Sequence, residues 1–101
     1  CSSDLDRIID AVSALFGLSR EELISRSRQR RVTLPRQIAM YLLRSDTQLS
    51  MPQIGEELGG RDHTTVMYGV DKIADLLKTD TALQGQVANI RAHSMPRSLA
   101  A

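Results

Sequence analysis

The 101-residue chain has one cysteine, no tryptophan and only 3% aromatic residues. A lone Cys1 closes no internal disulfide, and with only His63 and His93 beside it no ligand set at zinc spacing exists. No run reaches the roughly 18 apolar residues that a membrane span needs, so no transmembrane helix is expected. The opening CSSDLD lacks a basic region followed by an apolar core, so no secretory signal is read there and a cytoplasmic setting is the default. Cys1 in place of an initiator Met reads as a fragment of a longer chain. Strand patterning is missing too, since no segment alternates apolar with polar residues. No internal repeat or low-complexity segment is visible.

The most telling absence is local. Overall charge is almost balanced, 13 Lys+Arg against 12 Asp+Glu, yet residues 25–45 hold no acid at all and six arginines: Arg26, Arg28, Arg30, Arg31, Arg36 and Arg44. A cationic face follows, suited to a polyanion.

What is present is helical punctuation. Leu5, Ile8, Ile9, Val12, Leu15 and Phe16 follow the spacing of one helix face, with Gly17 where a C-terminal cap falls. Ser19 with Glu22 forms a capping box that starts a brief second helix around Leu23 and Ile24. Residues 26–33, RSRQRRVT, show no periodicity and read as a basic loop or frayed helix end. Pro35 suits a first turn, so the third helix is expected over residues 35–45, with Ile38, Ala39, Leu42 and Leu43 inward.

Ser50 with Gln53 is a second capping box, opening a short fourth helix that Gly59-Gly60 ends. Asp62 is a strong N-cap for a fifth helix carrying Val66, Val70, Ile73 and Leu77, and Leu83, Val87 and Ile90 mark a sixth after Asp80. The expected fold class is all-α: a compact six-helix domain over residues 1–93, with residues 94–101 as a disordered tail.

A short helix, a glycine turn and a longer helix make the plan of a helix-turn-helix, whose second helix enters the major groove tip first. On that plan Asp62, His63, Thr64 and Thr65 lead, and each has a base-edge partner: amino donors for the carboxylate, purine acceptors for imidazole or hydroxyl, the thymine methyl for Thr. Asp71 and Asp75 on later turns would be repelled by phosphates, which requires the helix to enter end-on. Arg61 and the arginines of residues 26–44 can then clamp the flanking backbone, and one loop arginine can probe a minor groove. Taken singly, Asp62 is an ordinary cap, His63 a surface histidine and the arginines a solvated face. Their coincidence in one small chain favours DNA.

The segments PRQIAMYLLR (35–44), MPQIGEELGGRDHTTV (51–66) and Lys72-Ile73 resemble the C-terminal DNA-binding domain of the bacterial replication initiator DnaA, over about residues 4–93. The resemblance implies a helix-turn-helix preceded by a basic loop, and duplex targets resembling the box TTATCCACA at a replication origin. It implies that Arg28 enters the minor groove, with Arg26 and Arg30 as alternatives. Arg36, Gln37 and Arg44 would contact the backbone or a nearby base, and Arg61, Asp62, His63, Thr64 and Thr65 would form the motif that reads the major groove. Two positions depart from the family pattern: Leu58 stands where many members carry Phe, and Tyr68-Gly69 puts a helix-weakening glycine inside the fifth helix.

The family's full-length protein carries an ATP-binding AAA+ domain, but no G-x-x-x-x-G-K-[ST] string occurs here, so no nucleotide or other cofactor and no metal is expected in this chain. Double-stranded DNA is the expected partner, without a small-molecule substrate, for a monomer that is cytoplasmic and associated with the nucleoid. A protein-docking module is the alternative, although most apolar residues are taken up by core stripes. An enzyme built on Asp62 and His63 is disfavoured, because no nucleophile or metal set accompanies them.

Overall fold

The computed structural model describes residues 3–94, which form six helices: α1 (Ser3–Phe16), α2 (Arg20–Ile24), α3 (Arg30–Asp46), α4 (Met51–Glu57), α5 (His63–Leu76) and α6 (Thr81–Ser94). Among the described residues there is no strand, and the all-α expectation holds. Beyond Ser94 the expected tail lies outside the described residues.

Local chemistry explains most boundaries. Gly17, at φ 65, adopts the left-handed turn that closes α1, and the Leu18 amide donates back to the Ser13 carbonyl at 3.0 Å. Both capping boxes form: Ser19 and Glu22 exchange bonds at the start of α2, and Ser50 and Gln53 do so at the start of α4. The Leu83 amide donates to the Asp80 carboxylate at 3.0 Å, opening α6.

One boundary differs from expectation. The third helix begins at Arg30 rather than Pro35, with the amides of Val32 and Thr33 donating to the Gln29 carbonyl at 2.9 and 2.8 Å. The cause is burial: Val32 is a core residue and shares one helix face with Pro35, Arg36 and Ala39. Placing Val32 inside outweighs the single backbone bond that Pro35, lacking an amide hydrogen, forgoes within the helix. The basic loop therefore shrinks to residues 25–29, and Arg30 and Arg31 stand on the first turn of α3.

Helix α3 is the hub, touching α1, α2, α4 and α5, while α6 packs on α1. Ile38, Leu42 and Leu43 of α3 are fully buried among Ile9 and Val12 of α1, Leu23 of α2, Ile54 of α4 and Ile73 of α5. Helices α3 and α5 approach closely at Gly69 of α5, where a Cβ would lie 2.7 Å from Met40 Sδ and 3.2 Å from Gln37 Cγ. The glycine that looks misplaced in the sequence is the residue that lets α5 cross α3 closely. That crossing sets where the front end of α5 emerges.

Candidate nucleic-acid interface

Helices α4 and α5 pack against each other as a helix-turn-helix, with a turn made by two consecutive left-handed glycines, Gly59 at φ 93 and Gly60 at φ 74. The turn is pinned from within, the Arg61 amide donating to the Gly55 carbonyl at 2.8 Å. After it, Asp62, His63, Thr64 and Thr65 are all exposed, and Val66 behind them is buried. The core thus holds the helix by Val66, Gly69 and Ile73 and leaves its first turn projecting.

Asp62 occupies the N-cap position in extended backbone, yet its carboxylate makes no cap hydrogen bond, contrary to the expectation for a strong N-cap. It is engaged by its neighbours instead. Thr64 Oγ1 donates to Asp62 Oδ2 at 2.7 Å, and His63 Nδ1 lies 3.2 Å from Asp62 Oδ1. The Thr64 hydroxyl, with smaller help from His63 and nearby amides, holds the Asp62 carboxyl below the usual aspartate range. Three side chains of the first turn therefore form one bonded group on the exposed tip.

Beside this tip lies an open groove of about 520 Å³, lined by Arg26, Ser27 and Arg28 of the loop, Thr33 and Arg36 of α3, and Gly59, Gly60, Arg61, Asp62 and Thr65 of the turn and helix α5. Four guanidinium groups border it against one carboxylate. Arg28 and Arg26 are exposed there, so the basic loop and the tip of α5 face the same side. Thr33 Oγ1 is buried without a hydrogen-bond partner.

Arg36 is different: it is 5% exposed and spends its guanidinium on backbone, Nε donating to the Leu23 carbonyl at 2.7 Å, Nη1 to Ser27 at 3.1 Å and Nη2 to Ser25 at 2.9 Å. Burial, together with the Arg61 charge, pulls its pKa down to about 10, which leaves it cationic at neutral pH. Arg61 Nη1 donates to the carbonyls of Ile24, at 3.3 Å, and Leu58, and its Nη2 to Ser25. Burial first, and Arg26 second, lower its pKa.

The remaining expected contacts are more scattered. Arg30 and Arg44 are exposed at opposite ends of α3 and do not line the groove. Gln37 is buried at 8%, its Oε1 without a partner, against Gly69. Arg26, expected only as an alternative to Arg28, lines the groove together with it; its signal was the acid-free segment itself. Tyr68, 63% exposed, stands one helical turn behind Thr64 and was noted in the sequence only as a departure from pattern. Among the described residues no cluster of three or more His, Cys, Asp or Glu side chains is placed to hold a metal, and no helix is long and apolar enough to cross a membrane.

A family model described as the bacterial DnaA protein helix-turn-helix matches residues 5–73. Among curated proteins the chain is 51% identical over 86 residues to the chromosomal replication initiator protein DnaA of Chloroflexus aggregans, covering 85% of this chain and 18% of that protein. It is 48% identical over 84 residues to the protein of that name from Thermus thermophilus, covering 83% and 19%, and 51% identical over 75 residues to that from Oenococcus oeni, covering 74% and 17%. The chain thus spans about a fifth of the length of the relatives it matches. With a projecting α5 tip beside an arginine-lined groove and these matches over most of its length, the chain belongs to the bacterial DnaA helix-turn-helix family.

Proposed function

We propose that the chain binds duplex DNA sequence-specifically at boxes resembling TTATCCACA, and so targets a chromosomal replication initiator to the origin. The observation that carries this reading is the shared groove: the exposed tip of α5 and the Arg26 and Arg28 side chains lie on one face. A major-groove reader and a minor-groove probe must engage adjacent grooves of one duplex, which requires that placement. The names of the relatives, each a replication initiator, point the same way.

In this reading the first turn of α5 enters the major groove end-on. Asp62, His63, Thr64 and Thr65 meet base edges, each good contact worth about 1–3 kcal/mol of discrimination. The exposed carboxylates of Asp71 and Asp75 on later turns stay clear of the phosphates. Arg28 enters the minor groove with Arg26 beside it, and Arg30, Arg44 and the turn at Arg61 meet the backbone. Being buried, Arg36 contributes charge and Gln37 shape more than direct contact. The domain acts as a monomer in the cytoplasm, on the nucleoid, with no catalytic step and no nucleotide. Nucleotide-driven assembly would belong to the rest of a longer protein.

Fluorescence anisotropy with labelled duplexes tests this, comparing the box with a scrambled sequence across a salt series. Thr64→Ala should reduce discrimination between the two by about tenfold or more, the worth of one base contact, while Arg28→Ala should weaken box binding by about tenfold. Equal affinity of the native chain for both duplexes at every salt concentration would overturn the reading.

A further inference from the structure

Two arginines that the sequence offers as clamps on DNA are turned inward. Arg36 lays its guanidinium along the carbonyls of Leu23, Ser25 and Ser27, and Arg61 takes those of Ile24, Ser25 and Leu58. The chain leaves α2 through an extended Ser25, φ −70 and ψ 175, and the carbonyls of Leu23 in the last turn of α2 and of Ser25 and Ser27 beyond it all come within reach of the Arg36 guanidinium. A planar fork of five N–H donors can span such a set; an ammonium cannot. The carbonyls of Leu23, Ile24 and Leu58 lie at the C-terminal ends of α2 and α4, where helix ends leave acceptors unsatisfied. Arg61 therefore ties the glycine turn of the helix-turn-helix to the end of α2, and Arg36 ties the basic loop to α3.

Among the described residues neither guanidinium pairs with a carboxylate. Bonding to neutral carbonyls satisfies the donors without cancelling the charge, so both groups still raise the potential of the groove they line. Serine hydroxyls extend the order along the loop, the Ser27 amide donating to Ser25 Oγ and the Gln29 amide to Ser27 Oγ, both at 3.3 Å.

We infer that Arg36 and Arg61 are positioning residues: their shared grip on the 23–27 segment holds the basic loop at a fixed offset from the α5 tip, so that loop and tip engage a duplex as one rigid unit. The consequence for recognition rests on the DNA-binding reading above. The brace itself does not.

Amide hydrogen exchange on the DNA-free chain and box-duplex titrations test the two parts separately. Arg36→Met and Arg36→Lys should each speed exchange at the hydrogen-bonded amides of Ser27 and Gln29 by about tenfold while leaving α1 and α6 unchanged. Lys keeps the charge, so a direct phosphate contact would survive it, whereas the brace does not. In titrations Arg28→Ala should cost about tenfold in the native background and less than about twofold beside Arg36→Met, because a loop already released has little left to lose. Unchanged loop exchange, or costs that simply multiply, would overturn the inference. If the buried Arg36 variants fail to melt cooperatively, Arg61→Lys, at a half-buried site, carries the same two readouts. Failure of the native chain to tell box from scrambled duplex sinks the DNA reading, and the exchange experiment still decides the brace.

Discussion

Arg36 and Arg61 donate to the same atom, the carbonyl oxygen of Ser25, each through its Nη2. Two cations sharing one acceptor repel, and the repulsion appears as the Arg61 contribution to the lowered pKa of Arg36. The arrangement is held by the remaining carbonyl bonds and by the packing of α3 around it. The segment Ser25 belongs to thereby has both a fixed path and a strongly positive surround.

At the α5 tip, the Thr64 hydroxyl is the main cause of the depressed Asp62 pKa. A carboxyl that binds its proton less tightly in the folded than in the unfolded chain adds stability in full above the ordinary aspartate value of about 3.9. That contribution is lost as pH falls through the lower folded value. Thr64→Val should bring the Asp62 carboxyl back up toward the ordinary value, read by carbon-detected NMR titration. No movement would show that the hydroxyl does not set the carboxylate's state.

Phosphate contacts show in salt dependence. If the proposed DNA contacts form, Arg44→Ala and Arg28→Ala should each reduce the slope of log affinity against log salt by about 1, since each would remove one counterion-displacing contact. Arg44 is exposed on the last turn of α3 and makes no hydrogen bond or ion pair within the chain among the described residues, so its substitution should leave thermal stability unchanged. An unaltered slope would remove Arg44 from the interface.

The α3–α5 crossing makes two glycines behave oppositely. Gly69→Ala gains helix propensity of about 1 kcal/mol but drives a methyl to within 2.7 Å of Met40 Sδ, and overpacking of that kind costs about 1–3 kcal/mol. The midpoint of thermal unfolding should fall. Gly85→Ala on α6 meets nothing within 4 Å and should raise it, by roughly 0.5–1 kcal/mol. A rise for both would show that the Met40 side chain gives way at Gly69 for less than the helix propensity gained.

Gln37 buries an amide oxygen with no partner, a deficit worth about 1–3 kcal/mol. Gln37→Met keeps the chain length packed beside Gly69 and removes the unpaired group, so stability should rise by about 1 kcal/mol with box affinity unchanged. A loss of affinity in that variant would instead show that the side chain turns outward to meet the duplex.

Much of this fold is legible in the sequence because much of it is local. The boxes Ser19/Glu22 and Ser50/Gln53, the left-handed Gly17 and the core stripes of α1, α3 and α5 each depend on residues within about a turn of one another. The start of α3 was not legible, since Pro35 is a sound first-turn signal and only the tertiary burial of Val32 overrides it. The exposed tip at residues 62–65 was legible as a polar first turn ahead of a buried stripe. That its carboxylate binds Thr64 and His63 rather than capping the helix was not, because both uses are within reach of one short side chain.

By itself the sequence determined most helix boundaries (though not the start of α3), which faces turn inward and that one stretch is cationic, all consequences of hydrogen bonds and periodicities spanning a few residues. Only the tertiary structure decided which cations face outward. A guanidinium on a long stem can bind a carbonyl as well as a phosphate, and the choice for Arg36 and Arg61 was made mainly by carbonyls of residues 23–27, 9 to 37 residues away along the chain, brought within reach when α2, α3 and the glycine turn packed together.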